Sequence, residues 1–418
     1  MTLSPKFGRI LTLVPLGSIV TGLALISCAK SGPVMTPQIS KMPSQASTET
    51  SVPATIPMTP RAAPTAAEVC PEVGGLLPSE VEGTLVLLST DGGIYIIDLP
   101  SLEMLRKPDS SGAFVDSPIG FPLTSPGASL LGIVQRVEAG TGVSSARRLR
   151  IIDASGRDAV EPLVDNRWAS VTSWTNNGQL TITDGTLADG TIIVVDPFTG
   201  VESVLPPGMP DLDVHDPITW YALGVPVVVY DPSLTRAVYF AYDKFVLWNV
   251  STGQALATQM TGWTRSLPMW AQDGSRVVVV VDSRADPRHQ ELVLLGRDGP
   301  ATEVTHLHRS YTSKWIHAAS PSWSPDGTRI AFWIGTQDSE EISPQWHLAI
   351  IDLPTSAITD YCLSQQWASL PIWSPDGHYI ALRDGLIVDA QGQAAFRIDI
   401  DTYADPLGWL SSTRESGD

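Results

Sequence analysis

Positive charge is scarce in this sequence. Lys and Arg together number 26 against 44 Asp and Glu, a formal charge of −18 over 418 residues. No basic stripe appears. Nucleic-acid binding draws its affinity from counterion release at clustered Lys and Arg, so nucleic acid is excluded as a partner. Cysteine is also rare, with three residues and no Cys-x-x-Cys pair, which rules out a zinc-ribbon or disulfide-dense scaffold. The motifs of common chemistries are missing too: no Gly-x-Ser-x-Gly elbow, no His-Glu-x-x-His, no P-loop and no Gly-x-Gly-x-x-Gly. No cofactor is expected. Tryptophan, by contrast, is abundant, with thirteen residues.

The first 27 residues read as a leader. Lys6 and Arg9 precede an apolar run from Ile10 to Ile26, the charged and hydrophobic regions of a secretory signal peptide. The run ends Leu25-Ile26-Ser27-Cys28, which resembles the lipobox of bacterial lipoproteins. That resemblance implies cleavage before Cys28 and lipidation of its sulfur. A diacylglyceryl group brings two acyl chains, enough for stable anchoring, so the membrane is an expected partner and the cell envelope, outside the cytoplasm, the expected address. Residues 28–68 are rich in Ser, Thr, Pro and Ala and have few large apolar side chains. Such a stretch buries too little to offset its ordering entropy and reads as a tether.

From residue 69 to 410 the chain repeats itself. Trp323-Ser-Pro-Asp-Gly and Trp373-Ser-Pro-Asp-Gly each end one apolar run, turn tightly and open another. Proline fixes φ, Asp caps the backbone and Gly takes the left-handed position. Weaker copies stand at Leu123-Thr-Ser-Pro-Gly, Trp174-Thr-Asn-Asn-Gly, Tyr230-Asp-Pro-Ser and Trp270-Ala-Gln-Asp-Gly. The spacing of about 50 residues is that of propeller blades. A second aromatic precedes each turn: Phe114, Trp168, Trp220, Trp263, Trp315 and Trp367. Tyr403 to Trp409 repeats that opening with no strands behind it, while residues 84–106 hold three strands with no first strand before them. One blade built from both ends accounts for both remainders and leaves no free sheet edge there. The expected fold is all-β: a propeller of four-stranded blades, seven in number, with six or eight as alternatives. Its last blade is closed by N-terminal strands B-C-D and C-terminal strand A. Residues 411–418 read as a polar tail.

The Trp-Ser-Pro-Asp-Gly-x-x-Ile-Ala pattern, strongest at Trp323 and Trp373, resembles the WD-like propeller repeats of the TolB family and of propeller domains attached to some serine peptidases. It covers roughly residues 82 to 410. The resemblance implies the fold. The partner-binding role of TolB proteins is not carried over, since they bear an α/β domain where this chain reads as leader and tether.

Candidate sites follow from this frame. Aromatics at the start of each first strand (Trp168, Trp220, Trp263, Trp315, Trp367 and Tyr403) would ring one mouth of the channel and offer stacking surfaces to a sugar or peptide. The same positions suit wedges between blades, and because every blade carries one we favour that reading. Asymmetry is a sharper pointer. Two long charged loops, at 282–291 and 335–341, and the connection holding His306, His308, Trp315 and His317 fall on one face. His306 and His308 alternate as on a strand, so both rings point one way, with His317, His289 or Glu341 as a third ligand if a metal binds. Polar histidines at strand ends are commoner. Cys70 and Cys362 form either a disulfide, joining the segment that enters the domain to an outer strand, or two separate thiols. The function expected is a lipid-anchored, non-catalytic binding or scaffolding module for protein, peptide or glycan. The alternative is a propeller hydrolase, lactonase-like, with a metal-assisted site at the channel mouth.

Overall fold

The computed structural model describes residues 66–412 apart from 90–91, 107–112, 116–122, 138–145, 185–191, 206–227, 242–243, 261–265, 297–300, 340–342, 393 and 401–402. The leader, the lipobox Cys28 and nearly all of the tether lie outside the described residues.

Seven sheets follow one another around a ring, making a seven-bladed β-propeller. Six blades are contiguous in sequence, at 113–164, 168–204, 228–260, 269–303, 315–365 and 372–397. The seventh is composite. Its innermost strand, Ala404–Leu410, pairs antiparallel with Gly83–Ser89 in the register Leu85↔Trp409 and Val86↔Gly408, and the strands Ile94–Leu99 and Met104–Arg106 complete it outward. The ends of the domain therefore close the disc, as the leftover strands required. Gly408 is needed there because a Cβ would run into Leu131 and Thr124 of the first blade.

Most blades form because their two central strands are largely apolar on both faces. Arg276–Asp282 reads RVVVVVD, and Val277 to Val281 are all buried. A run apolar on both faces suits a sheet covered on both sides, here by the neighbouring blades. Several of the third strands end at or beside an Asp or Asn whose side chain receives the amide two or three residues on: Asp153 from Ser155, Asp196 from Phe198, Asn249 from Ser251 and Asp352 from Thr355. These short side chains mimic a backbone turn and reverse the chain into the fourth strand.

The repeated turn behaves as its letters dictate. Ser324 Oγ donates to Asp326 at 2.6 Å and accepts from the Arg329 amide at 2.9 Å, Asp326 Oδ1 accepts from the Thr328 amide, and Gly327 has φ 68°. The same bonds recur at Ser374, Asp376 and Tyr379. In the first blade the bridge Thr124↔Leu131 matches Trp323↔Ile330 and Trp373↔Ile380. Thr124, not Leu123, thus holds the tryptophan position, and the expected copy at Leu123 is one residue out of step.

Two further strands lie where no periodicity marks them. Ala67–Val69 adds parallel to the outer strand Ala357–Gln365 of the fifth blade, in the register Glu68↔Asp360 and Val69↔Tyr361, and Glu72–Val73 adds to the sixth. Both cover outer edges that would otherwise present unpaired amides. Strand structure therefore begins inside the stretch read as tether. Continuing the first register sets Cys70 beside Cys362, and the two form a disulfide with Cα atoms 4.7 Å apart. At the other end Ser411 belongs to the disc, its amide donating to Ala128 O at 2.8 Å.

Candidate functional site

The first strands run along the central channel, and their two ends make two different mouths. At the turn-side mouth all seven blades present the same position: Thr124, Trp174, Tyr230, Trp270, Trp323, Trp373 and Trp409. Together with the turns that follow, these residues enclose a cavity of about 240 Å³. Among the described residues, no Asp, Glu, His, Lys, Arg or Cys lines it.

The indoles are held by the neighbouring blade. Trp174 Nε1 donates to Leu123 O at 2.8 Å, Trp270 to Val229 O at 3.1 Å, Trp323 to Met269 O at 2.8 Å and Trp373 to Ser322 O at 3.1 Å. In every case the acceptor precedes the equivalent position of the blade before. Trp409, in the composite blade, donates instead to Glu82 O of its own sheet. A second relay lies over the first. Arg236, Arg276 and Arg329 each place a guanidinium over the next blade's tryptophan, at 5.5, 5.2 and 4.9 Å, and each donates to the glycine carbonyl of that blade's turn, at Gly274, Gly327 and Gly377. A stacked, charge-assisted contact of this kind fastens blade to blade. Hydroxyls at the mouth are also engaged internally, as with Ser173 and Thr172 on Thr181. What remains for a ligand is apolar surface, aromatic edge and a few uncharged polar side chains such as Gln272 and Tyr230.

The opposite mouth was the one expected to carry an aromatic ring. Trp168 is 3% exposed and its Nε1 donates to Glu202 at 3.1 Å, so it is packed as core and offers no platform. Trp315 is half-buried beneath Lys314, whereas Trp367 and Tyr403 are 59% and 67% exposed. Trp220 and Trp263 lie outside the described residues, as does Glu341. Phe114 sits in the first strand of its blade, opposite Arg136.

The histidines do not converge. His306 and His308 do not alternate on a strand: His306 precedes a single helical turn, Leu307–Ser310, that contains His308. Their rings stand 6.1 Å apart and nearly perpendicular, His306 on Glu303 at 2.9 Å and His308 on Glu291 at 2.8 Å. Glu291 is fully buried and also accepts from Thr305 Oγ1 and from the amides of Leu307 and His308. Glu291, Glu303 and His308 have ligand atoms within 4.8 Å of one another. With four donors already on it, however, Glu291 serves as the anchor of the helical turn. His317 faces Gln337 and Trp346, and His289 is buried against the fifth blade.

A second cavity, of about 340 Å³, opens near those loops on side chains that sequence reasoning passed over: Glu68, Tyr311, Thr336, His347 and Asp360. Tyr311 Oη donates to Asp360 Oδ2 at 2.5 Å, while Asp360 Oδ1 is buried without a partner. Burial raises the pKa of Asp360, and nearby Glu68 adds to the rise, against the Tyr311 hydrogen bond and His347. Burial likewise lifts the Tyr311 phenol, helped by its bond to Asp360.

No protein-family model and no curated protein matches this chain. Solved structures similar to it include TolB from Acinetobacter baumannii, 14% identical over 79% of this chain and 82% of that one, with a TM-score of 0.40. An oligogalacturonate lyase in complex with manganese is 13% identical over 76% and 84%, with a TM-score of 0.47. A putative TolB from Agrobacterium tumefaciens is 11% identical over 71% and 95%, with a TM-score of 0.40. At such scores we take the fold from this chain's own strand order, and that order defines a seven-bladed β-propeller.

Proposed function

We propose that this propeller is a non-catalytic binding module, held outside the cytoplasm by a lipid on Cys28, which takes an uncharged apolar segment of a peptide or protein at the turn-side mouth of its channel. One observation carries the reading: among the described residues, a cavity lined from all seven blades contains no carboxylate, imidazole, amine or thiol, so no base stands beside its Ser, Thr and Tyr hydroxyls. A hydroxyl nucleophile needs an adjacent base to activate it. Binding needs only complementary surface. A glycan suits the mouth less well, because its many hydroxyls require partners and the indole N–H groups already have theirs. An engineered apolar cavity of about 150 Å³ holds benzene, so about 240 Å³ accommodates one large apolar side chain.

Intrinsic tryptophan fluorescence tests this. Acetyl-Phe-Leu-amide is expected to change the emission saturably, and Thr124→Trp, which fills the one ring position held by a small side chain, is expected to abolish the response. An unchanged titration in that variant contradicts the assignment. The address is tested separately. A clickable fatty acid is expected to label the wild type and not Cys28→Ala; equal labelling would refute lipidation there.

A further inference from the structure

The cleft between the fourth and fifth blades has a different chemistry. Its floor is the face of the fifth blade that looks toward the fourth: Ile334 and Thr336 from the second strand, His347 from the third and Asp360 from the fourth. The edge strand Ala67–Val69 extends that face outward and contributes Ala66 and Glu68, with Glu68 directly beside Asp360 in register. Ser310 and Tyr311, from the connection between the two blades, close the remaining side. Two carboxylates thus meet in a partly enclosed space, and among the described residues no Lys or Arg is ion-paired with either.

Such an arrangement is unfavourable by itself. Asp360 is half-buried and feels the like charge of Glu68. One of its oxygens has no donor at all, and a buried acceptor left without a donor costs roughly 1–3 kcal/mol. Glu68 is exposed, and among the described residues no N–H or O–H donates to it; its Oε1 lies 3.4 Å from the sulfur of Cys362. Among the described residues the lining holds no Lys or Arg, and the His347 imidazole is its one nitrogen donor from a side chain. Two carboxylates thus face a single weak base, and an added cation is what they lack.

We propose that this cleft binds an alkylammonium group, with the carboxylates of Asp360 and Glu68 as its acceptors. Ala66, Ile334 and the Tyr311 ring provide the walls for the aliphatic part. Asp360 makes the main contact because it is the more buried, and a charge-assisted bond strengthens as water is excluded. Tyr311 is a positioning residue: its donation to Oδ2 fixes the orientation of the Asp360 carboxylate. The edge strand supplies the second carboxylate, and the Cys70–Cys362 disulfide pins that strand in place. The strongly negative chain steers cations toward its surface. An ammonium group could come from a free amine or from a lysine side chain of another protein.

Calorimetric titration of the full chain decides the matter. The probes are n-butylammonium, 1,5-diaminopentane and N-acetyl-lysine methylamide, with n-butanol as the neutral control. Saturable binding of the amines at one site, and none of the alcohol, is expected. Asp360→Asn is expected to weaken binding by about tenfold or more, the effect of losing a hydrogen bond to a charged group. Glu68→Gln, at an exposed position, is expected to weaken it about two- to fivefold. Tighter binding of the lysine derivative than of the diamine assigns the site to a protein side chain, and the reverse order to a free amine. Amines that bind no better than butanol overturn the proposal, as does affinity unchanged in both variants. Glu68→Gln alters an exposed side chain, so if Asp360→Asn fails to fold, unchanged affinity in Glu68→Gln alone overturns it.

Discussion

The turn-side mouth and the cleft between the fourth and fifth blades are opposites. The mouth is built by repetition: one position, seven times, with its hydrogen bonds relayed from blade to blade. The cleft is built by departure from repetition: an edge strand found on few blades, a helical turn in one connection and an aspartate on an outer strand. Repetition satisfies polar groups because each blade supplies what its neighbour needs. Departure leaves a group such as Asp360 Oδ1 without a partner. In this molecule the repeat accounts for stability and one uncharged surface, and the exceptions account for the ionisable site.

Removing a member of the repeat should therefore damage the fold far more than removing a member of the cleft. Trp373→Ala takes out a buried indole, its bond to Ser322 and the ring beneath Arg329. Its expected loss is about 3–5 kcal/mol in urea denaturation. A loss under about 1 kcal/mol would mean that the ring does not hold the blades. Reducing the disulfide comes next, with an expected loss of about 2–4 kcal/mol, since it closes a very long loop in the unfolded chain; calorimetric melts with and without reductant measure it. Arg329→Met keeps most of the apolar stem but removes the bond to Gly377 O and the stack on Trp373. About 1–3 kcal/mol is expected from those two contacts. A neutral result would reduce the arginine relay to surface decoration.

The smallest effect sharpens the comparison through pH. Unfolded, Asp360 ionises near the ordinary aspartate value of about 3.9. Folded, burial holds its pKa higher, so above that value the unfolded chain has released a proton that the fold still keeps, and stability falls as pH rises. Asp360→Asn is expected to remove that fall, and urea midpoints followed upward from about pH 4 read it. The turn aspartates have the opposite sign. At Asp326 burial works to raise the pKa, but the bonds from Ser324 and Thr328 and the charge of Arg329 prevail and lower it. Its contribution is present above the ordinary value and is lost as pH falls below it. Asp326→Asn should therefore flatten the acid limb and leave the other unchanged.

What the letters revealed divides along the same line. The hairpin at Trp323, its copy at Trp373 and the closure of Tyr403 to Trp409 onto residues 84–106 were legible, because each is a local pattern repeated. The position of Thr124 was misread by one residue, since Leu123 looked more like a tryptophan than threonine does. The parallel additions at Ala67–Val69 and Glu72–Val73 were invisible, as two or three residues carry no periodicity and their partners lie far along the chain. The arginine relay was hidden for a related reason: Arg236, Arg276 and Arg329 each act on the following blade, not their own. Charged loops did mark the region of the second cavity. The side chains that line it, Tyr311, His347 and Asp360, sit just beyond those loops.

The most direct measurement of the account is a paired fluorescence titration of wild type and Thr124→Trp with acetyl-Phe-Leu-amide and with an uncharged oligosaccharide of similar mass. A saturable response to the peptide alone, lost in the variant, is the outcome expected of an uncharged mouth whose indole N–H groups are already engaged. A response to the oligosaccharide alone, or a peptide response that survives Thr124→Trp, would contradict it.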